Sequence, residues 1–186
     1  TSEVVWNQGY AGTGGGISVE YTPAPAYQTG LTYKTYQTTT STSQTLSLTS
    51  RGVPDVGGNA APGSGYSFWA NGVHYSGVGG TSATSPMYAG MTARINAAIG
   101  GRIGFPLTKW YANPQAFRDI TAGNNACPDT FGYSATAGWD ACTGLGSPIG
   151  TAIAGLYDFT VSVEIAQLSL NCYDLIQSPI QPVVAS

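Results

Sequence analysis

The run Gly79-Gly80-Thr81-Ser82-Ala83-Thr84-Ser85-Pro86 leads directly into Met87, Met91, Ile95 and Ile99, four apolar residues spaced four apart. Paired glycines and small side chains predict a tight turn. Pro86 suits the first turn of a helix and Ser85 its N-cap, while Gly100-Gly101 suits the stop. The apolar spacing lines one face of that helix, which must pack against other elements. Ser82 then sits where unpaired N–H groups at a helix start can stabilise negative charge developing during acyl transfer. The plainer reading is a tight turn with a capping serine.

Around this element the chain reads as short extended pieces. Ile17 to Tyr21 alternates like a strand and is stopped by Pro23 and Pro25. The Thr/Ser/Gln-rich stretch from Thr32 to Thr49 is polar enough for an exposed loop, although its β-branched residues also suit solvent-facing strands. Tyr66-Ser67-Phe68-Trp69 and Val73-His74-Tyr75 predict a hairpin turned by Asn71-Gly72. A second helix is expected near Pro148. Residues 157–186 form an extension in which Phe159, Val161, Val163 and Ile165 alternate as in a strand.

Composition limits the partners. Charged residues make up 8% of the 186, with six basic against nine acidic, so no Lys/Arg cluster could follow a phosphate backbone. Nucleic acid is excluded as an expected partner. Gly, Pro and polar residues interrupt every apolar run before it reaches the length of a membrane span. No basic region followed by an apolar stretch opens the sequence, so any targeting peptide has been removed or lies upstream.

Of the three cysteines, Cys127 and Cys142 flank a Gly/Asp-containing segment. A disulfide between them is the first expectation and would close a loop worth roughly 3 kcal/mol on the chain-entropy estimate. Two separately buried thiols are the alternative. Cys172 pairs with another chain or stays free. Asp119 and Asp140 frame a Gly/Asn-containing stretch flexible enough to bring hard oxygen ligands together, or are simply solvated turn carboxylates.

A serine hydroxyl needs a base, and His74 is the chain's one histidine, eight residues before Ser82. An imidazole in or beside the hairpin is its plainer role. The motif from Gly80 to Pro86 occurs here with Arg51-Gly52-Val53-Pro54-Asp55-Val56, Gly14-Gly15-Gly16 and Trp139-Asp140-Ala141-Cys142-Thr143-Gly144-Leu145-Gly146-Ser147-Pro148. Together these segments resemble the sedolisin family of serine-carboxyl peptidases over residues 1 to about 156.

The resemblance implies an α/β fold: the C-terminal portion of a subtilisin-like domain, with a mainly parallel sheet flanked by helices. It implies Ser82 as nucleophile for hydrolysis of peptide or protein substrates at acidic pH. The glutamate base, its supporting aspartate and the oxyanion-site aspartate would come from an N-terminal portion of the same peptidase, upstream of the matched segment. None of them maps to Glu3, Glu20 or Asp55. Asp55 is expected to be structural, satisfied by Arg51 or nearby backbone donors.

The resemblance also implies calcium, held by the Asp119 side chain, the carbonyls of Ile120, Thr136 and Gly138, and the Asp140 side chain. Asp129 is the less favoured substitute. Secretion, or residence in an acidic compartment such as a lysosome or vacuole, would follow. A non-catalytic relative or a secreted binding module is the alternative function. The Gly/Thr/Tyr-rich composition also suggests a secreted β-rich structural or glycan-binding domain.

Overall fold

In the computed structural model, which describes residues 2–157, helix α1 runs from Thr84 to Ile99. Tyr88, Met91 and Ile95 are buried along one face, with Met87 and Ile99 packed at its margins. Each fully buried side chain of this size contributes roughly 1.5–3 kcal/mol. Gly100, left-handed at φ 65°, ends the helix as its sequence predicts. The start differs from expectation. A 3-10 turn over Thr81–Ala83 continues straight into α1, so the Thr84 N–H already has the Thr81 carbonyl, and Ser85 lies inside the first turn without capping it.

The strands are short: β1 Gly16–Ile17, β2 Thr32–Gln37, β3 Thr45–Ser47, β4 Gly52–Val53, β5 Tyr66–Ala70, β6 Val73–Val78, β7 Phe117–Arg118, β8 Phe131–Ser134 and β9 Ser147–Pro148. Among the described residues they form four small sheets, β1-β4, β3-β2-β8, β5-β6 and β7-β9, and every pairing is antiparallel. The expected mainly parallel sheet is therefore wrong for this chain. A parallel pair needs a crossover that returns to the sheet beside the first strand. After α1 the chain instead enters helix α2, Leu107–Tyr111, and the next strand, β7, pairs with β9.

The hairpin forms as predicted, with Asn71 (φ 51°) and Gly72 (φ 76°) both left-handed between β5 and β6. The Thr-rich segment supplies β2 and β3 rather than a loop. Of the anticipated Ile17–Tyr21 strand only Ile17 lies in a ladder, where it follows Gly16 in β1, although Ser18 and Tyr21 still share backbone hydrogen bonds with Arg51. Just beyond Ile17, Ser18 Oγ accepts the N–H groups of Glu20 (3.1 Å) and Tyr21 (3.0 Å), a side-chain turn that competes with the ladder.

The core gathers around α1. Trp110 from α2 packs on Tyr88 and on Phe117, with ring centroids 5.7 Å apart in both pairs. Helix α3, Gly150–Ala154, adds Ile153 and Ala154, and Leu48, Trp139, Ala141 and Leu145 complete the cluster. This third helix begins just after Pro148, as anticipated.

Cys127 and Cys142 are free thiols, so the expected disulfide is absent. Cys142 is buried beside Val5 and Ala135, and its Sγ donates to the Tyr133 carbonyl at 3.0 Å. Burial pushes that thiol up to about 12, away from reactive thiolate. Cys172 and the anticipated strand of 157–186 lie outside the described residues beyond Tyr157. Among the described residues no helix is long and apolar enough to cross a membrane.

Candidate active site

Ser82 is exposed at the middle of the 3-10 turn, two residues before the helix begins at Thr84. Neither its hydroxyl nor its N–H has a hydrogen-bond partner among the described residues. The turn is fixed from beneath by residues 57–62. Gly80 N–H donates to the Ala60 carbonyl at 2.6 Å, and Tyr88 Oη donates to the Gly57 carbonyl at 3.0 Å. At Gly79 a Cβ would lie 2.6 Å from both the Ala60 carbonyl oxygen and the Pro62 nitrogen, so only glycine permits this approach. Rigid backbone thus supports a small, accessible hydroxyl, the arrangement nucleophilic catalysis needs.

The supporting segment is itself anchored by a polar network. Arg51 and Asp55 form an ion pair at 2.6 Å, and the Tyr111 hydroxyl donates to the other Asp55 oxygen at 2.9 Å. Fully buried Gln28 accepts from Gly52 N–H (3.0 Å) and donates to the Gly52 carbonyl (2.9 Å) and to Tyr111 Oη (2.7 Å). Trp139 Nε1 donates to the Pro54 carbonyl at 2.8 Å. Both Asp55 oxygens are engaged, which agrees with its expected structural role. Sequence reasoning found the Arg51–Asp55 pair but missed Gln28 and Tyr111. Nothing local in the sequence marks a glutamine as buried, because its partners lie far along the chain.

His74 lies exposed on β6 against the Trp69 ring, with centroids 5.1 Å apart, and shares no hydrogen bond with Ser82. Its role as an imidazole in the hairpin is the one that forms. Glu3 accepts a hydrogen bond from Ser147 Oγ at 2.5 Å, and Glu20 is exposed. Among the described residues no carboxylate contacts Ser82.

The two segments anticipated to share a metal do come together. Gly138, at φ 80°, donates its N–H to Asp119 Oδ2 at 2.7 Å, bridging segments nineteen residues apart. Asp140 is fully buried. Its Oδ1 accepts from the N–H groups of Cys142 (2.9 Å) and Thr143 (2.8 Å) and from the Thr143 hydroxyl (3.2 Å), and its Oδ2 accepts from Thr136 N–H (3.0 Å). Burial pushes the carboxyl above the usual carboxylate range, against the pull of those hydrogen bonds. No cationic side chain pairs with it among the described residues.

The carbonyls of Ile120, Thr136 and Gly138 accept no hydrogen bond among the described residues, although Ile120 is buried. Two carboxylates and three unpaired carbonyls fit a hard cation rather than a soft one. No cluster of three or more His, Cys, Asp or Glu side chains is found among the described residues, so the carbonyls would have to complete any such ligand set.

The architecture is a subtilisin-like α/β fold. It aligns with Pseudomonas sedolisin, a serine-carboxyl proteinase solved with two molecules of pseudo-iodotyrostatin, at a TM-score of 0.67 and 30% identity, covering 83% of this chain and 40% of that one. In sequence the chain is 42% identical over 152 residues to kumamolisin from Bacillus sp. (strain MN-32), covering 80% of this chain and 26% of that protein. It is 36% identical to xanthomonalisin from Xanthomonas sp. (strain T-22), covering 79% of this chain and 18% of that protein. No protein-family model matches. The chain belongs to the sedolisin family of serine-carboxyl peptidases. It spans about a quarter or less of the curated relatives named here.

Proposed function

We propose that this chain carries the nucleophile of an acid-acting serine-carboxyl peptidase. Ser82 Oγ attacks the scissile carbonyl of a peptide or protein substrate and forms an acyl-enzyme, which water then hydrolyses. A glutamate in the rest of the enzyme takes the Ser82 proton, supported by an aspartate. The Ser82 N–H, together with a second aspartic acid from that part of the enzyme, stabilises the tetrahedral oxygen. The observation that carries this reading is the exposed Ser82 hydroxyl beside its own unpaired N–H at the entrance to α1.

A carboxylate base suits acid, because glutamate ionises at about 4.3 whereas histidine is largely protonated below about 6.5. That chemistry fits secretion or an acidic compartment. The packing of His74 against Trp69, with no hydrogen bond to Ser82, supports the same choice of base.

The Asp119 and Asp140 segments form a calcium site, with the carbonyls of Ile120, Thr136 and Gly138 as further ligands. Calcium supplies there the positive charge that a buried carboxylate needs and a tether between two distant segments. Asp140 is held ready by its four hydrogen bonds, and Asp119 by Gly138 N–H.

The test is labelling of the complete protein with a fluorophosphonate at acidic pH, followed by peptide mass spectrometry. A label on Ser82 that disappears in Ser82→Ala is the expected outcome. A folded protein that takes no label there would favour the non-catalytic binding module.

A further inference from the structure

Residues 57–62 support the Ser82 turn, and the part of the chain that grips them lies some eighty residues later. Every residue from Trp139 to Ser147 is buried. This loop closes on itself. Asp140 N–H donates to the Gly144 carbonyl at 3.3 Å and Gly144 N–H to the Asp140 carbonyl at 3.0 Å, while Gly146 N–H donates to the Thr143 carbonyl at 3.0 Å. The Asp140 side chain ties the Cys142 and Thr143 N–H groups into the same unit.

One edge of the loop grips the stretch leading to the Ser82 support at three points. Trp139 Nε1 donates to the Pro54 carbonyl at 2.8 Å, Leu145 N–H donates to the Asp55 carbonyl at 2.8 Å, and the Gly146 carbonyl accepts from Gly57 N–H at 2.9 Å. A Cβ on Gly144, left-handed at φ 62°, would overlap the Asp55 carbonyl, so only glycine allows this contact. The other side of the stretch faces α1. The Gly57 carbonyl accepts from Tyr88 Oη at 3.0 Å, and a Cβ on Gly58 would lie 2.7 Å from Thr84 Cγ2. Gly57 thus gives its N–H to the loop and its carbonyl to the helix that starts two residues after Ser82. Three residues further on, Ala60 holds the N–H of Gly80.

We propose that the loop of residues 139–146 is a positioning element for Ser82, acting through Gly57, with Trp139 and Gly144 as its positioning residues. The proposal rests on Ser82 being the nucleophile. A reacting group must be held to within about 0.5 Å of its productive place. A peptide gripped at both its N–H and its carbonyl passes any displacement of the loop to the turn, so the loop sets the position of Ser82 without touching substrate.

Fluorophosphonate labelling of the complete protein at acidic pH, expressed per folded molecule, tests this. Trp139→Phe keeps a ring in the core but removes the donor to Pro54, and should slow Ser82 labelling about tenfold, with kcat falling similarly and KM within about twofold of wild type. Gly144→Ala should slow it further. Tyr33→Leu loosens the core from β2, and should lower the unfolding temperature while leaving the labelling rate per folded molecule unchanged. Wild-type labelling by folded Trp139→Phe overturns the proposal and leaves Ser82 as nucleophile. Equal slowing in Tyr33→Leu assigns the effect to general loosening and also overturns it. A folded wild-type protein that takes no label at Ser82 overturns the nucleophile and this proposal together. Should both loop variants fail to fold, hydrogen exchange of the wild-type protein carries the test. The amides of Gly57, Gly80 and Leu145 should then open in one step with a common free energy, and Gly80 exchanging ahead of the other two overturns the proposal.

Discussion

The Tyr88 hydroxyl, one turn into α1, donates at 3.0 Å to the carbonyl of Gly57, which lies in the segment beneath the Ser82 turn. The buried helix face and the candidate nucleophile are thereby held in one piece. Tyr88→Phe keeps the ring against Trp110 but strands the Gly57 carbonyl, at a cost of about 1–2 kcal/mol. Denaturant unfolding should show that loss. The rate of Ser82 labelling should fall with it, and an unchanged rate would show that the turn is fixed by other contacts.

Ser82→Ala should reduce peptidase activity of the complete protein by about 10⁴-fold or more, with thermal unfolding essentially unchanged because the side chain is exposed and unpaired. Turnover near the wild-type level would eliminate Ser82 as nucleophile. His74→Gln should leave activity below pH 5 intact, since the imidazole packs at a tilt against Trp69 and shares no hydrogen bond with Ser82. An activity limb near pH 6.5 that vanished in this variant would instead identify a histidine base.

Gly79→Ala addresses positioning rather than chemistry. Its Cβ would meet two backbone atoms at 2.6 Å, so the turn must shift while Ser82 itself is retained. Activity should fall by more than stability alone explains, with kcat reduced at a fixed fraction of folded protein. Wild-type kcat would mean that the turn tolerates displacement.

Chelation should lower the unfolding temperature, and excess calcium should restore it. A ligand present at a hundred times its Kd contributes about 2.7 kcal/mol. Asp119→Asn should abolish the response, because it removes the charge of the carboxylate that Gly138 holds in place. Calorimetry giving the same curve with and without chelator would remove the metal site.

At alkaline pH the buried tyrosines matter. Burial raises the Tyr111 and Tyr88 hydroxyls far above their ordinary value, with Asp55 adding to the effect at Tyr111 and Glu3 at Tyr88. The folded protein then holds these protons while the unfolded chain releases them above about pH 10, so stability is intact below that pH and falls as pH rises through it. Tyr111→Phe should flatten the alkaline limb while costing stability near neutrality through the loss of its bonds to Gln28 and Asp55. A limb of unchanged steepness would place the titration elsewhere.

Local chemistry in the sequence determined the parts whose physics is local. Asn71-Gly72 specifies a tight hairpin because both residues accept positive φ, and Gly100 ends α1 for the same reason. The spacing of Met91 and Ile95 selects the buried helix face, and Arg51 and Asp55 are legible as a candidate pair because their opposite charges stand four residues apart in one short stretch. The family motif around Ser82 was likewise legible, since a tight turn is built from consecutive residues.

Tertiary structure decided everything that depends on distant partners. Whether strands run parallel is set by where the chain goes after α1, and here it goes to α2 and then to β7 against β9. Gln28 is buried because Gly52 and Tyr111 fold over it, and Cys142 is a buried thiol whose sulfur donates to the distant Tyr133 carbonyl. The N-cap moved from Ser85 because a preceding 3-10 turn satisfied the helix start. A hydrogen bond or a strand pairing is a relation between two places in space, and one stretch of sequence records only its own half of that relation.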